Sequence, residues 1–124
     1  MPGWNLALRF VLELVSVAGI GAGVASKAGW LFGSIAMVAA FALWGTFATP
    51  GDPSRSGKAP VPVDGHIRLV VEEVVFGGGI VGWVVAGRPL VAILAAVGLL
   101  VHHAFSLERL RWLVAQRRSP SLEP

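Results

Sequence analysis

Cysteine and tyrosine are absent from this 124-residue chain, and charge is scarce: 14% of the residues are Asp, Glu, Lys or Arg, against 55% that are hydrophobic. Without cysteine there is no disulfide, no thiolate nucleophile and no thiolate metal site. A soluble domain of this size usually carries about a quarter charged residues, so the shortage argues against an ordinary water-facing surface. No nucleophile–base pair, phosphate-binding glycine loop or dense carboxylate–histidine motif occurs, which argues against an enzyme and against a bound metal or cofactor.

What is present is four long apolar runs, at about residues 5–26, 30–48, 67–86 and 89–106. Each is close to the roughly 20 residues needed to cross a hydrocarbon core about 30 Å thick. In lipid every backbone group must be satisfied within its own segment, so runs rich in Gly, Ala, Val and Leu read as helices. The expectation is an all-α membrane protein: a four-transmembrane-helix bundle over residues 1–106, with a proline-rich cytoplasmic loop at 49–65 and a basic cytoplasmic tail at 107–124. Ala25, Ser26 and Ala28 could mark a signal-peptide cleavage site, but Glu13 inside the first run argues for a retained helix.

Orientation follows from the cations. Arg9, Arg55, Lys58, Arg68, Arg109, Arg111, Arg117 and Arg118 fall on one side of the predicted spans, and Lys27 and Arg88 on the other. By the positive-inside rule both termini are cytoplasmic. Trp4 and Trp112 are expected at the inner interface, Trp30 and Trp83 at the outer one, and Trp44 in packing. Arg109, Arg111, Arg117 and Arg118 are expected to meet anionic lipid headgroups. So short a basic tail is the usual outcome of the orientation rule and does not point to nucleic acid.

The two halves share a pattern. Asn5, Arg9, Glu13, Gly19 and Gly23 recur 59 residues later as Asp64, Arg68, Glu72, Gly78 and Gly82, and Gly29 recurs 58 residues later as Gly87. This predicts two similar helical hairpins related by a pseudo-twofold axis along the membrane normal, with Asn5 and Asp64 as N-caps. Gly19-x-x-x-Gly23 and Gly78-x-x-x-Gly82 are small-residue ridges suited to close contact between helices 1 and 3, or to a dimer.

Helical rise places Arg9, Glu13, Arg68, Glu72, Glu73, His102 and His103 at one depth in the cytoplasmic half. Charges at such depth face the bundle and find partners. Two readings compete. In one, the layer is a clasp in which Arg9 pairs with Glu72 and Arg68 with Glu13. In the other it is a proton-coupled pathway for a small solute, with Glu73 as the titrating group. Four helices enclose little volume, so a transporter of this build would need a homodimer. His102 and His103 diverge by about 100° on a helix and cannot easily share a metal ion.

RFVLELV at 9–15, WGTFATP at 44–50 and RLVVEEVVFG at 68–77 resemble the YrdB-like proteins, a bacterial group of small four-helix membrane proteins of unknown function. The resemblance implies a multi-pass protein of the bacterial cytoplasmic membrane. It brings no catalytic or ligand residues to carry over.

Overall fold

The computed structural model describes residues 3–52 and 60–115. They form five helices: α1 (Gly3–Ala28), α2 (Trp30–Thr46), α3 (Gly65–Val85), α4 (Pro89–Ala104) and α5 (Leu107–Ala115). The two-residue strands β1 (Phe47–Ala48) and β2 (Val61–Pro62) pair in parallel between α2 and α3. Apart from that bridge, the described residues are helices and the short turns and loops that join them.

The hairpin turns follow from glycine. Gly29 between α1 and α2 and Gly87 between α3 and α4 both adopt positive φ (91° and 79°), a conformation that costs glycine little and ends a helix without strain. Pro89 then opens α4, where a missing N–H costs no helical hydrogen bond.

Helices α1 and α3 run parallel with their backbones in contact. A Cβ on Gly82 would collide with the Gly19 carbonyl, and one on Gly19 with the Gly79 carbonyl. A Cβ on Gly23 would lie 2.7 Å from the Gly82 Cα. Gly78, expected in this ridge, instead faces only the Ile20 side chain at 3.5 Å, and Gly79 occupies the contact against Ser16. Gly79 lies seven residues beyond Glu72, on the same face, whereas Gly78 is turned about 100° away. Helix α2 packs on α1 through another glycine pair, since a Cβ on Gly33 would sit 2.7 Å from the Gly21 carbonyl. The apolar core between the helices is Leu12, Val17, Ala40, Trp44, Val75 and Phe76.

Three expectations about the elements change. Helix α2 stops at Thr46 rather than 48, because Phe47–Ala48 turn extended to pair with β2. Asn5 is not an N-cap; it lies inside α1 and is fully buried. The segment after α4 turns by 73° into α5, which folds back against the start of α3 so closely that a Cβ on Gly65 would run into the Leu113 carbonyl. Gly65→Ala should therefore push α5 off its seat. It should cost about 1–3 kcal/mol in unfolding free energy and speed tryptic cleavage after the otherwise buried Arg109.

Among the described residues, α1 is the one helix long and apolar enough to cross a membrane by itself. The bent pair α4–α5 would make a second span if taken as one, and α2 is apolar but has 17 residues.

Candidate functional site

Polar side chains converge at the end of the bundle where α1 and α3 begin and α2 and α4 end. Glu72 on α3 is completely buried. Its Oε1 accepts hydrogen bonds from Arg9 Nη1 at 3.0 Å and Arg109 Nη1 at 2.9 Å. Its Oε2 accepts from Arg68 Nε at 3.2 Å and Arg109 Nη2 at 2.7 Å. A carboxylate offers about four lone-pair sites, so these four bonds saturate it.

Each arginine is held by a second set of contacts. Arg109, from α5, also forms a bidentate pair with Asp52: Nε to Oδ1 at 2.8 Å and Nη2 to Oδ2 at 2.6 Å. Burial opposes the Arg109 cation, but hydrogen bonds to Asp52 and Glu72 outweigh it and raise its pKa above the ordinary arginine value. Arg68 donates through Nη1 to the carbonyls of Trp44 at 2.5 Å and Phe47 at 2.7 Å. These belong to the end of α2, where carbonyls lack helical partners and the helix dipole favours a cation. The Arg9 and Arg68 guanidiniums also lie over the Trp44 ring, 4.9 and 4.7 Å from its centroid, a cation–π arrangement.

A hydrogen-bonded chain leads away from Arg9. Asn5 Nδ2 donates to the Phe105 carbonyl at 3.2 Å and to Ser106 Oγ at 2.7 Å, which turns Asn5 Oδ1 toward His102 Nδ1, 2.7 Å away. An amide oxygen can only accept, so Nδ1 carries the proton. His102 Nε2 is then left to accept from Arg9 Nη1, 3.4 Å away. The chain ties α1 to the corner between α4 and α5.

Of the residues singled out in the sequence, the structure brings Arg9, Arg68, Glu72 and His102 together. Arg9 meets Glu72 across the helix pair as the crosswise scheme required. Arg68 does not complete that scheme, because its carboxylate partner is Glu72 on its own helix, four residues on. Glu13 is half-buried on α1, and the four bonds to Glu72 come from elsewhere. Glu73 and His103 stand outside the cluster: His103 Nε2 lies 2.7 Å from Glu73 Oε1, and the Glu73 side chain is 46% exposed.

Arg109 is the largest correction. It was expected at the lipid headgroups with Arg111, Arg117 and Arg118, but it is 2% exposed in the centre of the cluster. Arg111 is exposed; Arg117 and Arg118, like Arg55 and Lys58, lie outside the described residues. Asp52, Asn5 and Ser106 are cluster members that sequence reasoning missed. The available signal was the four-residue spacing of Arg109 and Leu113, which puts a cation on the inward face of α5.

Comparison with known proteins comes down on one group. A family model described as "Protein of unknown function (DUF2568)" matches residues 7–100. The chain is 31% identical over 116 residues to "Uncharacterized protein YrdB" of Bacillus subtilis (strain 168), covering 90% of this chain and 94% of the relative. No solved structure matches it.

Proposed function

We propose a function for a chain that belongs to the DUF2568 family, proteins of unknown function, from the inversion of its polarity. Arg9, Arg68, Arg109, Asp52 and Glu72 are buried, whereas Trp30, Val38, Leu90 and Leu100 are each about two-thirds or more exposed. A molecule with ions inside and a contiguous apolar outside is suited to lipid rather than water. The chain is accordingly a multi-pass protein of the bacterial cytoplasmic membrane. Helices α1 to α4 span it as two hairpins about an axis along the membrane normal, with both termini cytoplasmic, and α5 covers the inner end of the bundle.

Within that frame the charged layer is a structural clasp, and the protein is a non-transporting membrane component that docks a partner. The observation that carries this reading is the saturation of Glu72, whose oxygens are all engaged by arginines and offer no site for a moving proton or solute. Proton-coupled transport is the second reading. It draws support from the Glu73–His103 contact, which lies apart from the clasp with the carboxylate half-exposed.

Two experiments test this. Reporter fusions at Pro124 should report cytoplasm and fusions at Ala28 and Gly87 the outside; a C-terminus exported to the outside would overturn the four-span reading. Proteoliposomes holding only this protein should leak protons no faster than protein-free vesicles. A flux abolished by Glu73→Gln would replace the clasp reading with the transport one.

A further inference from the structure

We infer that the seam between α1 and α3 binds one anionic phospholipid of the outer leaflet, its acyl chain lying in the seam and its phosphate meeting Lys27. The inference rests on the membrane-spanning reading above.

The two helices touch backbone to backbone through Gly19, Gly23 and Gly82. Glycine supplies no side chain to fill the seam beside such a contact. What remains is a groove of about 500 Å³, within the range of about 300–1,000 Å³ usual for a small-molecule site. Ile20 and Val24 wall it on α1, and Val74, Val81 and Val85 wall it on α3.

Its dimensions suit one extended hydrocarbon chain. Val85 lies eleven residues beyond Val74, roughly 16 Å along the helix. One leaflet supplies half of a hydrocarbon core about 30 Å thick. The groove is therefore about one leaflet deep and runs along the membrane normal. Aliphatic walls offer no hydrogen bond to a polar ligand, whereas an acyl chain asks for none.

Charge selects the headgroup. Among the described residues lining the groove, the one that carries a charge is Lys27, in the last turn of α1 and exposed at the outer mouth. The outer turns hold Lys27 and Arg88, and no aspartate or glutamate occurs between Glu13 and Asp52 or between Glu73 and Glu108. The outer ends of the four spans thus bring two cations and no carboxylate to headgroup level. An ammonium on a flexible four-carbon stem reaches up to a phosphate above the groove, and basic sites between membrane helices hold lipid headgroups in this way. A zwitterionic lipid carries its own ammonium, which competes with Lys27 for the phosphate; an anionic one does not.

Photolabelling tests this on the full chain in phosphatidylcholine vesicles. The probe is a trace of phosphatidylglycerol with a photoactivatable acyl chain, compared with phosphatidylcholine bearing the same chain. The expected result is that the anionic probe labels Ile20, Val24 and Val81 severalfold more than Val38 on the exposed side of α2. The zwitterionic probe should show no such preference. Lys27→Gln should bring the anionic probe down to the zwitterionic level. Gly78→Leu should do the same to groove labelling without lowering thermal stability, because it fills the groove and leaves the α1–α3 backbone contact in place. Equal labelling of groove and α2, or a preference unmoved by Lys27→Gln, means bulk lipid only and overturns the proposal. Shielding of the groove from both probes by a second copy or another protein overturns it too. If the chain stays in the membrane through an alkaline wash, such results leave the membrane reading standing; release by that wash overturns both.

Discussion

Glu72→Leu should unfold the bundle, and no single arginine substitution should restore it. The carboxylate is the common acceptor for Arg9, Arg68 and Arg109, contributed by α1, α3 and α5. Removing one partner of a buried ion pair typically costs about 3–5 kcal/mol, because a charge is left without compensation. Here three guanidiniums lose their acceptor together, and Asp52 can compensate only Arg109. In a simple pair, Arg9→Leu combined with Glu72→Leu would recover most of the loss. In this shared arrangement Arg68 and Arg109 remain crowded in the same space, so the double variant should stay nearly as unstable as Glu72→Leu alone. Thermal unfolding in detergent decides the matter. Strong recovery in the double variant would show an Arg9–Glu72 pair acting independently of the other two arginines.

Gly82→Leu should separate α1 from α3, while Gly78→Leu, four residues away on the same helix, should be tolerated. At Gly82 any side chain must displace the α1 backbone at Gly19, which cannot give way as a flexible side chain would. Overpacking costs of about 1–3 kcal/mol are usual, and a leucine against backbone belongs at or above the upper end. A displaced α3 would also draw Glu72 away from Arg9. At Gly78 the nearest atoms belong to the movable Ile20 side chain at 3.5 Å, so a change within about 0.5 kcal/mol is expected. Equal effects at the two positions would mean that the helices do not touch through Gly82.

The contrast between Gly78 and Gly79 shows where sequence reasoning reached its limit. The repeat offset of 59 residues equates Gly19 with Gly78, and it correctly brought α1 and α3 together in parallel. Contacts between two crossing helices do not keep the register of the repeat. Arg9 meets Glu72 and Ser16 meets Gly79, both 63 positions apart, whereas Gly23 meets Gly82 at 59. With three consecutive glycines at 77–79, only the direction set by Glu72 and Phe76 selects which one faces inward. Hydropathy made the grouping of Arg9, Arg68, Glu72 and His102 legible, because charges in apolar runs have few places to go. It said nothing of Arg109 or Asp52. By hydropathy a cation beyond the last apolar run looks the same whether it meets lipid headgroups or folds back into the bundle, and only the four-residue spacing of Arg109 and Leu113 separates the two; an aspartate in a proline- and glycine-rich loop carries no periodicity to reveal its direction.

The seat of Arg109 also imposes an order of events on biosynthesis. Glu72 leaves the ribosome 37 residues ahead of Arg109, an interval of roughly two to seven seconds at about 5–20 residues per second. During that interval α1 and α3 can already join through Arg9, but Glu72 lacks two of its four hydrogen bonds and Asp52 lacks its bidentate partner. Only when α5 emerges and turns back does the last arginine arrive to complete both. The chain therefore carries a completion signal in α5, and a product cut short before α5 would expose its incomplete charge cluster to quality control.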